Sequence, residues 1–175
     1  MSKKHLVLIA LFILPVVIYL FFASGINNFS HLPVVSSGVS EVNGFKNLQG
    51  KSVTISEKIS VLGFLGNDLS ERKINVYNLH EEIYKGIHDY DKNFQMLMLL
   101  PEGAQEQVNE VIVELSRYTD IEKWQFAFGS EEAIKAVFES LKSPHKLDTH
   151  IGSDYVFIID KEFNVRGRTE DKDRG

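Results

Sequence analysis

Cysteine is absent from this 175-residue chain. That single absence excludes disulfides, thiol catalysis, thiolate metal sites and a lipidated N-terminal cysteine. A glycine-rich phosphate loop and any Gly-Lys-Ser/Thr are also missing, so nothing marks a nucleotide-binding turn. Positive charge is in deficit: 19 Lys and Arg stand against 24 Asp and Glu, a formal net charge of −5. No basic stripe runs along any segment, and no nucleic-acid partner is expected. A Ser-His-Asp arrangement is not legible, because triad members cannot be placed without a nucleophile motif. Neither an internal repeat nor a low-complexity segment occurs.

What the chain does have begins with one long apolar run. Residues 6–23 carry no charged side chain, are interrupted only by Pro15, and follow Lys3 and Lys4. Eighteen helical residues at about 1.5 Å each reach roughly 27 Å, close to the hydrocarbon thickness of a bilayer. A proline is tolerated inside such a helix, and a cleaved signal peptide has a shorter apolar region of about 7–15 residues. The run has no polar face to show to water. An N-terminal transmembrane helix is therefore expected within residues 1–25, as an uncleaved signal anchor; cleavage at Ala23-Ser24-Gly25 is the alternative. Lysines ahead of the run place the N-terminus in the cytoplasm and the remainder on the periplasmic or outer face. Residues 26–50 are polar and turn-rich, with Pro33, Ser36-Ser37-Gly38 and Asn43-Gly44, and read as a juxtamembrane linker. Val34, Val35 and Val39 are too scattered for more than an edge pairing. The domain proper is expected over 51–175.

Within that domain strands and helices alternate. Val61, Leu62, Phe64 and Leu65 form a short uncharged run over 59–66, the pattern of a strand buried on both faces. Gly66-Asn67-Asp68 then gives a turn, and Ser70 with Glu71 an expected helix start. Val76, Leu79, Ile83 and Ile87 recur at helical spacing to about residue 88. A second apolar strand covers 94–100 and stops at Pro101 and Gly103. Val108, Val111, Ile112, Leu115 and Tyr118 make the inner face of the next helix. Residues 124–128 form a strand, and Ser130 caps a helix whose inner face is Ala133, Ile134, Val137, Phe138 and Leu141. A loop over 142–153 leads to a strand at 155–159, a hairpin turn at 160–164 and a return strand at 165–168. The order β-α-β-α-β-α-β-β implies right-handed crossovers, a mostly parallel sheet and a closing antiparallel pair. Ligands in such sheets sit beyond the carboxyl ends of the strands, which draws attention to Gly66–Arg72.

Several features near the C-terminus occur together. His150 precedes a Tyr-led hydrophobic strand, 155–160, that ends in Asp160, and the hairpin closes with Val165-Arg166-Gly167. Trp124-Gln125-Phe126 is followed by Gly129, and Phe45, Leu48, Gly50 and Lys51 lead into the first apolar strand. In this order, over roughly 45–167, they resemble the SCO/SenC family of membrane-anchored proteins. The resemblance implies an α/β, thioredoxin-like fold: three layers, α/β/α, around a central mixed sheet. It also implies a link to copper delivery or thiol reduction during cytochrome c oxidase assembly. The copper site it implies is a Cys-x-x-x-Cys turn after the first core strand together with a distant histidine, since soft thiolates and imidazole suit copper. Here that turn falls at about 66–72 without cysteines, and only His150 carries over as a metal ligand. A thioredoxin-like fold also places a helix after its closing hairpin, whereas the chain continues as the charged stretch 169–174. Truncation is the expected reason, because a polar tail leaves core surface uncovered.

The remaining chemistry-bearing residues read as structural. Asn67 and Asp68 suit turn and cap roles. His80 lies on the apolar side of its helix, as a satisfied, half-buried histidine. Met96 and Met98 share a strand face and suit core packing. His88, Asp89 and Asp91 read as a solvated turn, and Glu106, Glu110 and Glu114 as a solvated helix face. The expected protein is a membrane-anchored, thiol-free binding or assembly factor of the outer face, not an enzyme. Its partners would lie among respiratory oxidase assembly components, and it would have no cofactor beyond weak copper at His150. The alternative is a cysteine-free thioredoxin/peroxiredoxin-like enzyme using Asn67, Asp68 and His150. That reading needs His150 within hydrogen-bond reach of the Asn67–Asp68 turn, in a concave pocket.

Overall fold

The computed structural model describes residues 3–23, 32–89, 91–117 and 119–167. Residues 24 and 25 of the cleavage alternative, the start of the linker and the charged stretch past Gly167 lie outside these. The chain divides into two units, Met1–His31 and Leu32–Gly175. The first holds one helix, α1 (Lys3–Ala23), with Pro15 inside it. Every side chain from 11 to 20 is exposed. Among the described residues no helix is long and apolar enough to cross a membrane. Side chains of α1 are described only at Lys4 and over 11–20, a shorter stretch than the 6–23 run of the expected anchor.

The second unit is built on six strands: β1 (Val34–Ser37), β2 (Ile59–Phe64), β3 (Phe94–Pro101), β4 (Trp124–Gly129), β5 (Phe157–Ile159) and β6 (Asn164–Arg166). They lie in the order β1-β6-β5-β2-β3-β4. β2, β3 and β4 are parallel, with Val61 opposite Met96 and Met98 opposite Phe126. β5 runs antiparallel to β2 and turns back into β6. β1 pairs antiparallel with β6 at the sheet edge. Helical crossovers force the parallel part, because a strand can return in the same direction only by passing over a face.

Side-chain alternation along β2 and β3 feeds two cores. Val61, Met96, Met98 and Leu100 point to one face, beneath α2 (Lys73–Leu79) and α4 (Gln105–Leu115), where they meet Val76, Tyr84, Val108 and Val111. Leu62, Phe64, Leu97 and Leu99 point to the other, against Ile134, Val137 and Phe138 of α5 (Glu131–Ser140). Coverage on both faces is why the two strands read as unbroken apolar runs. The result is the expected three-layer α/β/α arrangement around a mixed sheet.

Three local expectations change. The segment read as a linker contributes Val39, Val42 and Phe45 to the second core, so the packed unit begins well before residue 51. Phe45 lies so close over Gly129 that a Cβ there would come within 2.7 Å of its ring. The helix after β2 starts at Asp68, not Ser70: Asp68 is extended and its carboxylate accepts the Ser70 N–H at 3.0 Å, opening a 3-10 turn over Leu69–Arg72. α2 then widens into a π turn, His80–Tyr84, before the last turn α3 (Lys85–Ile87); the Lys85 N–H reaches His80 O, five residues back. One extra residue in a turn rotates the rest of the helix about its axis. His80 and Tyr84 face inward while Ile87, expected in the core, is 40% exposed.

Candidate functional site

β2 is a central strand, flanked by β5 and β3, and its carboxyl end is tied to the loop 148–153. Ser153 N–H donates to Phe64 O at 2.9 Å, Leu65 bridges Gly152, and Asn67 N–H donates to His150 O at 3.0 Å. Gly66 makes this approach feasible. Its φ is +75° and a Cβ would fall 2.6 Å from the His150 carbonyl oxygen, so only glycine fits. These main-chain bonds set His150 over the turn, where its Nδ1 lies 3.1 Å from Asn67 Oδ1. The Asn67 amide oxygen accepts there from a protonated Nδ1.

Below the imidazole lies a second layer that sequence reasoning missed. Asp148 Oδ1 accepts the N–H groups of His150 at 2.8 Å and Gly152 at 2.9 Å, which folds the loop back on itself. Its Oδ2 accepts from Arg72 Nη2. Burial pushes the Asp148 carboxyl up, but the Gly152 N–H, the Arg72 guanidinium and the His150 N–H outweigh it and hold the pKa below its ordinary value. Arg72 is 5% exposed. Gly152 makes room for it, since a Cβ there would lie 2.5 Å from the guanidinium carbon. Arg72 Nε comes within 3.4 Å of Asp154, an ion-pair distance. It is not aligned for a hydrogen bond, and among the described residues neither Nε nor Nη1 has a hydrogen-bond partner, Nη1 lying 4.0 Å from Glu71. The signal for this layer was present but faint: Arg72 closes the 66–72 turn, and Asp148-Thr149-His150 has the spacing of an Asx turn.

The two conditions of the enzyme reading separate. His150 does reach Asn67. Neither it nor Asn67 nor Asp68 lines the cavity of about 200 Å³ that opens beside them between β2, α2 and residues 153–156; the imidazole–amide pair is exposed. Asp68 is occupied as a cap, and the Ser70 hydroxyl and N–H lower its pKa. Among the described residues no group of three or more His, Asp or Glu is placed to hold a metal ion.

The other candidates do not join this corner. Met96 and Met98 are fully buried in the core. His88 pairs with Asp89 at 3.3 Å, while Asp91 accepts the Asn93 N–H in the turn before β3. Glu114 pairs with Lys73 at 3.1 Å, and Glu106 and Glu110 face solvent. His80 is 3% exposed, more buried than expected, and among the described residues neither ring nitrogen has a hydrogen-bond partner. It stacks on Tyr84 at 5.3 Å beside Trp124.

A central strand ending in a turn and a helix, closed by an antiparallel hairpin whose preceding loop folds over that turn, defines a thioredoxin-like protein. Solved structures agree. The chain is similar to BsSco, described as a member of the Sco family of cytochrome c oxidase assembly proteins: 13% identity, TM-score 0.55, covering 77% of this chain and 84% of that one. It is similar to the soluble domain of Sco1 from Bacillus subtilis, with 14% identity and TM-score 0.54 over 78% and 83% of the two chains. A thiol:disulfide interchange protein from a Bacteroides species matches with 19% identity and TM-score 0.53 over 77% and 79%. No family model and no curated protein sequence matches. The resemblance read from the motifs is therefore matched in the fold, which is thioredoxin-like with Sco proteins among its structural neighbours, on a chain without cysteine.

Proposed function

We propose that this protein is a membrane-anchored, Sco-like binding or assembly factor that has lost the thiol chemistry of its fold and works through protein contacts. The observation that carries the reading is the corner at the end of β2. Where the resemblance implies a Cys-x-x-x-Cys turn, Gly66–Arg72 is cysteine-free and laced to the loop carrying His150 by Asn67, Asp148 and Arg72. Thiolate copper binding and disulfide exchange need sulfur that the sequence does not contain. A lone imidazole retains only weak copper affinity. Residues 6–23 anchor the chain, Lys3 and Lys4 hold the N-terminus in the cytoplasm, and the domain stands on the outer face. Its partners there belong to cytochrome c oxidase assembly, the process to which BsSco belongs.

The test is recovery of partners from detergent-solubilised membranes. Oxidase subunits or copper chaperones co-purifying with the full chain support the reading, and their consistent absence leaves a structural role alone. Copper(I) titration is the second arm. Binding should be weak and be lost in His150→Ala; tight binding indifferent to that substitution would require another account of the corner. One observation favours the enzyme reading, the 3.1 Å contact of His150 with Asn67. It would gain force from an activity that His150→Ala abolishes while partner recovery persists.

A further inference from the structure

The cavity beside the corner has three features that the thiol-free reading does not use. First, its floor is apolar, formed by Leu79, Ile83, Met98 and Val156. Gly63 of β2 lies in its wall and makes room for the Met98 side chain: a Cβ there would meet Met98 Sδ at 2.6 Å. Glycine inside a strand weakens it and marks a place where something approaches closely. Second, Arg72 closes the inner wall, its guanidinium 5% exposed and ringed by the carboxylates of Asp148, Asp154 and Glu71. Third, the rim is acidic. Glu82 and Asp154 stand at the mouth, and the Arg72 charge is already met by Asp148 and Asp154.

These features select the occupant. At about 200 Å³ the cavity is smaller than the roughly 300–1,000 Å³ typical of small-molecule sites. It suits one apolar side chain, the usual anchor of a protein contact. The carboxylates of Glu82 and Asp154 at the rim disfavour an anion and favour a cation beside the anchor.

We infer that this cavity is the docking point for a partner protein's extended segment, which inserts a Leu- or Phe-sized side chain and sets a Lys or Arg against Glu82 and Asp154. The inference rests on the binding function proposed for the domain and says where on it the contact is made.

The experiment uses the full chain in dodecyl maltoside micelles and three synthetic probes: acetyl-GKLKG-amide, acetyl-GKSKG-amide and acetyl-GELEG-amide. Amide chemical shifts of Gly63, Ile83 and Val156 report binding. The Lys-Leu-Lys probe should shift these amides and bind at least tenfold tighter than the other two, with affinity falling as salt rises. Val156→Trp, at a half-buried position that fills the cavity without touching Arg72, should weaken it at least tenfold; Ile83→Trp makes the same test from the helix wall if the first variant does not fold. No shift at these amides, equal binding of the Glu-flanked probe, or binding indifferent to both tryptophans overturns the inference. A concentration-dependent dimer abolished by Val156→Trp overturns it too, in favour of a second copy as occupant. Membrane partners still recovered with Val156→Trp sink this site but leave the binding reading standing. Probe binding without any recoverable partner does the reverse.

Discussion

Gly66 and its contact with the His150 carbonyl concentrate the local constraint of the corner. A side chain at φ +75° is strained, and backbone 2.6 Å away cannot give. Gly66→Ala should cost about 2–3 kcal/mol in denaturant titrations and loosen the 148–153 loop. Two ionisable groups, the buried His80 and the exposed Asp148, give separable pH signatures. Burial lowers the His80 pKa below its ordinary 6.5, with the Lys85 and His88 charges adding to that shift and Glu81 opposing it. The unfolded chain takes the proton first, so stability is full above about pH 6.5 and declines as the pH falls below it. Asp148 is lowered, against partial desolvation, by Gly152, Arg72 and His150. Its contribution is present above the unfolded value near 3.8 and is lost as the pH falls through the lower folded value. His80→Phe should remove the slope below 6.5 while keeping the stack on Tyr84, and Asp148→Asn should flatten the acid limb. Denaturation midpoints across pH 3–8 check both. A slope below 6.5 that survives in His80→Phe would assign it to another group.

Helix ends and turns carry the next set of effects. Ser130 caps α5 by accepting the Ala133 N–H at 3.2 Å, and Ser130→Ala should cost about 1 kcal/mol. Gly86 lies in α3 with none of the described residues within 4 Å of where its Cβ would stand. Gly86→Ala should therefore raise stability by about 0.5–1 kcal/mol, since only chain entropy is at stake. The opposite signs at Gly66 and Gly86 make a compact check on these assignments. Helix and strand identity was legible from residue order alone: the apolar runs of β2 and β3 and the inner faces of α4 and α5 fall where the periodicity placed them, with Tyr118 of the expected α4 face outside the described residues. The π turn was not. His80-to-Tyr84 spacing is identical in an α-helix, and only packing against Trp124 shows which residues turned inward.

For the domain as a unit, the boundary is the sharpest test. A chain starting at Leu32 keeps Val39, Val42 and Phe45 in the core and should unfold cooperatively. One starting at Lys51 leaves their sites open, and loss of Phe45 by itself should cost about 3–5 kcal/mol. Thermal unfolding followed by circular dichroism distinguishes the two; equal stability would mean the N-terminal segment is dispensable. Those three side chains were unreadable as core because the segment that carries them has no period, so its burial depends on what it lies against.

Composition and periodicity alone determined the lack of thiol chemistry, the βα order, the two-faced burial of the central strands and the apolar N-terminal run. Each of these is a local property, set by residue type and by neighbours a few positions away. Tertiary structure decided the corner: His150 on Asn67 from 83 residues away, and Asp148 on Arg72 from 76. Those contacts depend on the register of strands brought together by crossovers and on glycines that let backbones approach. A linear order of residues does not state such distances until the sheet is closed.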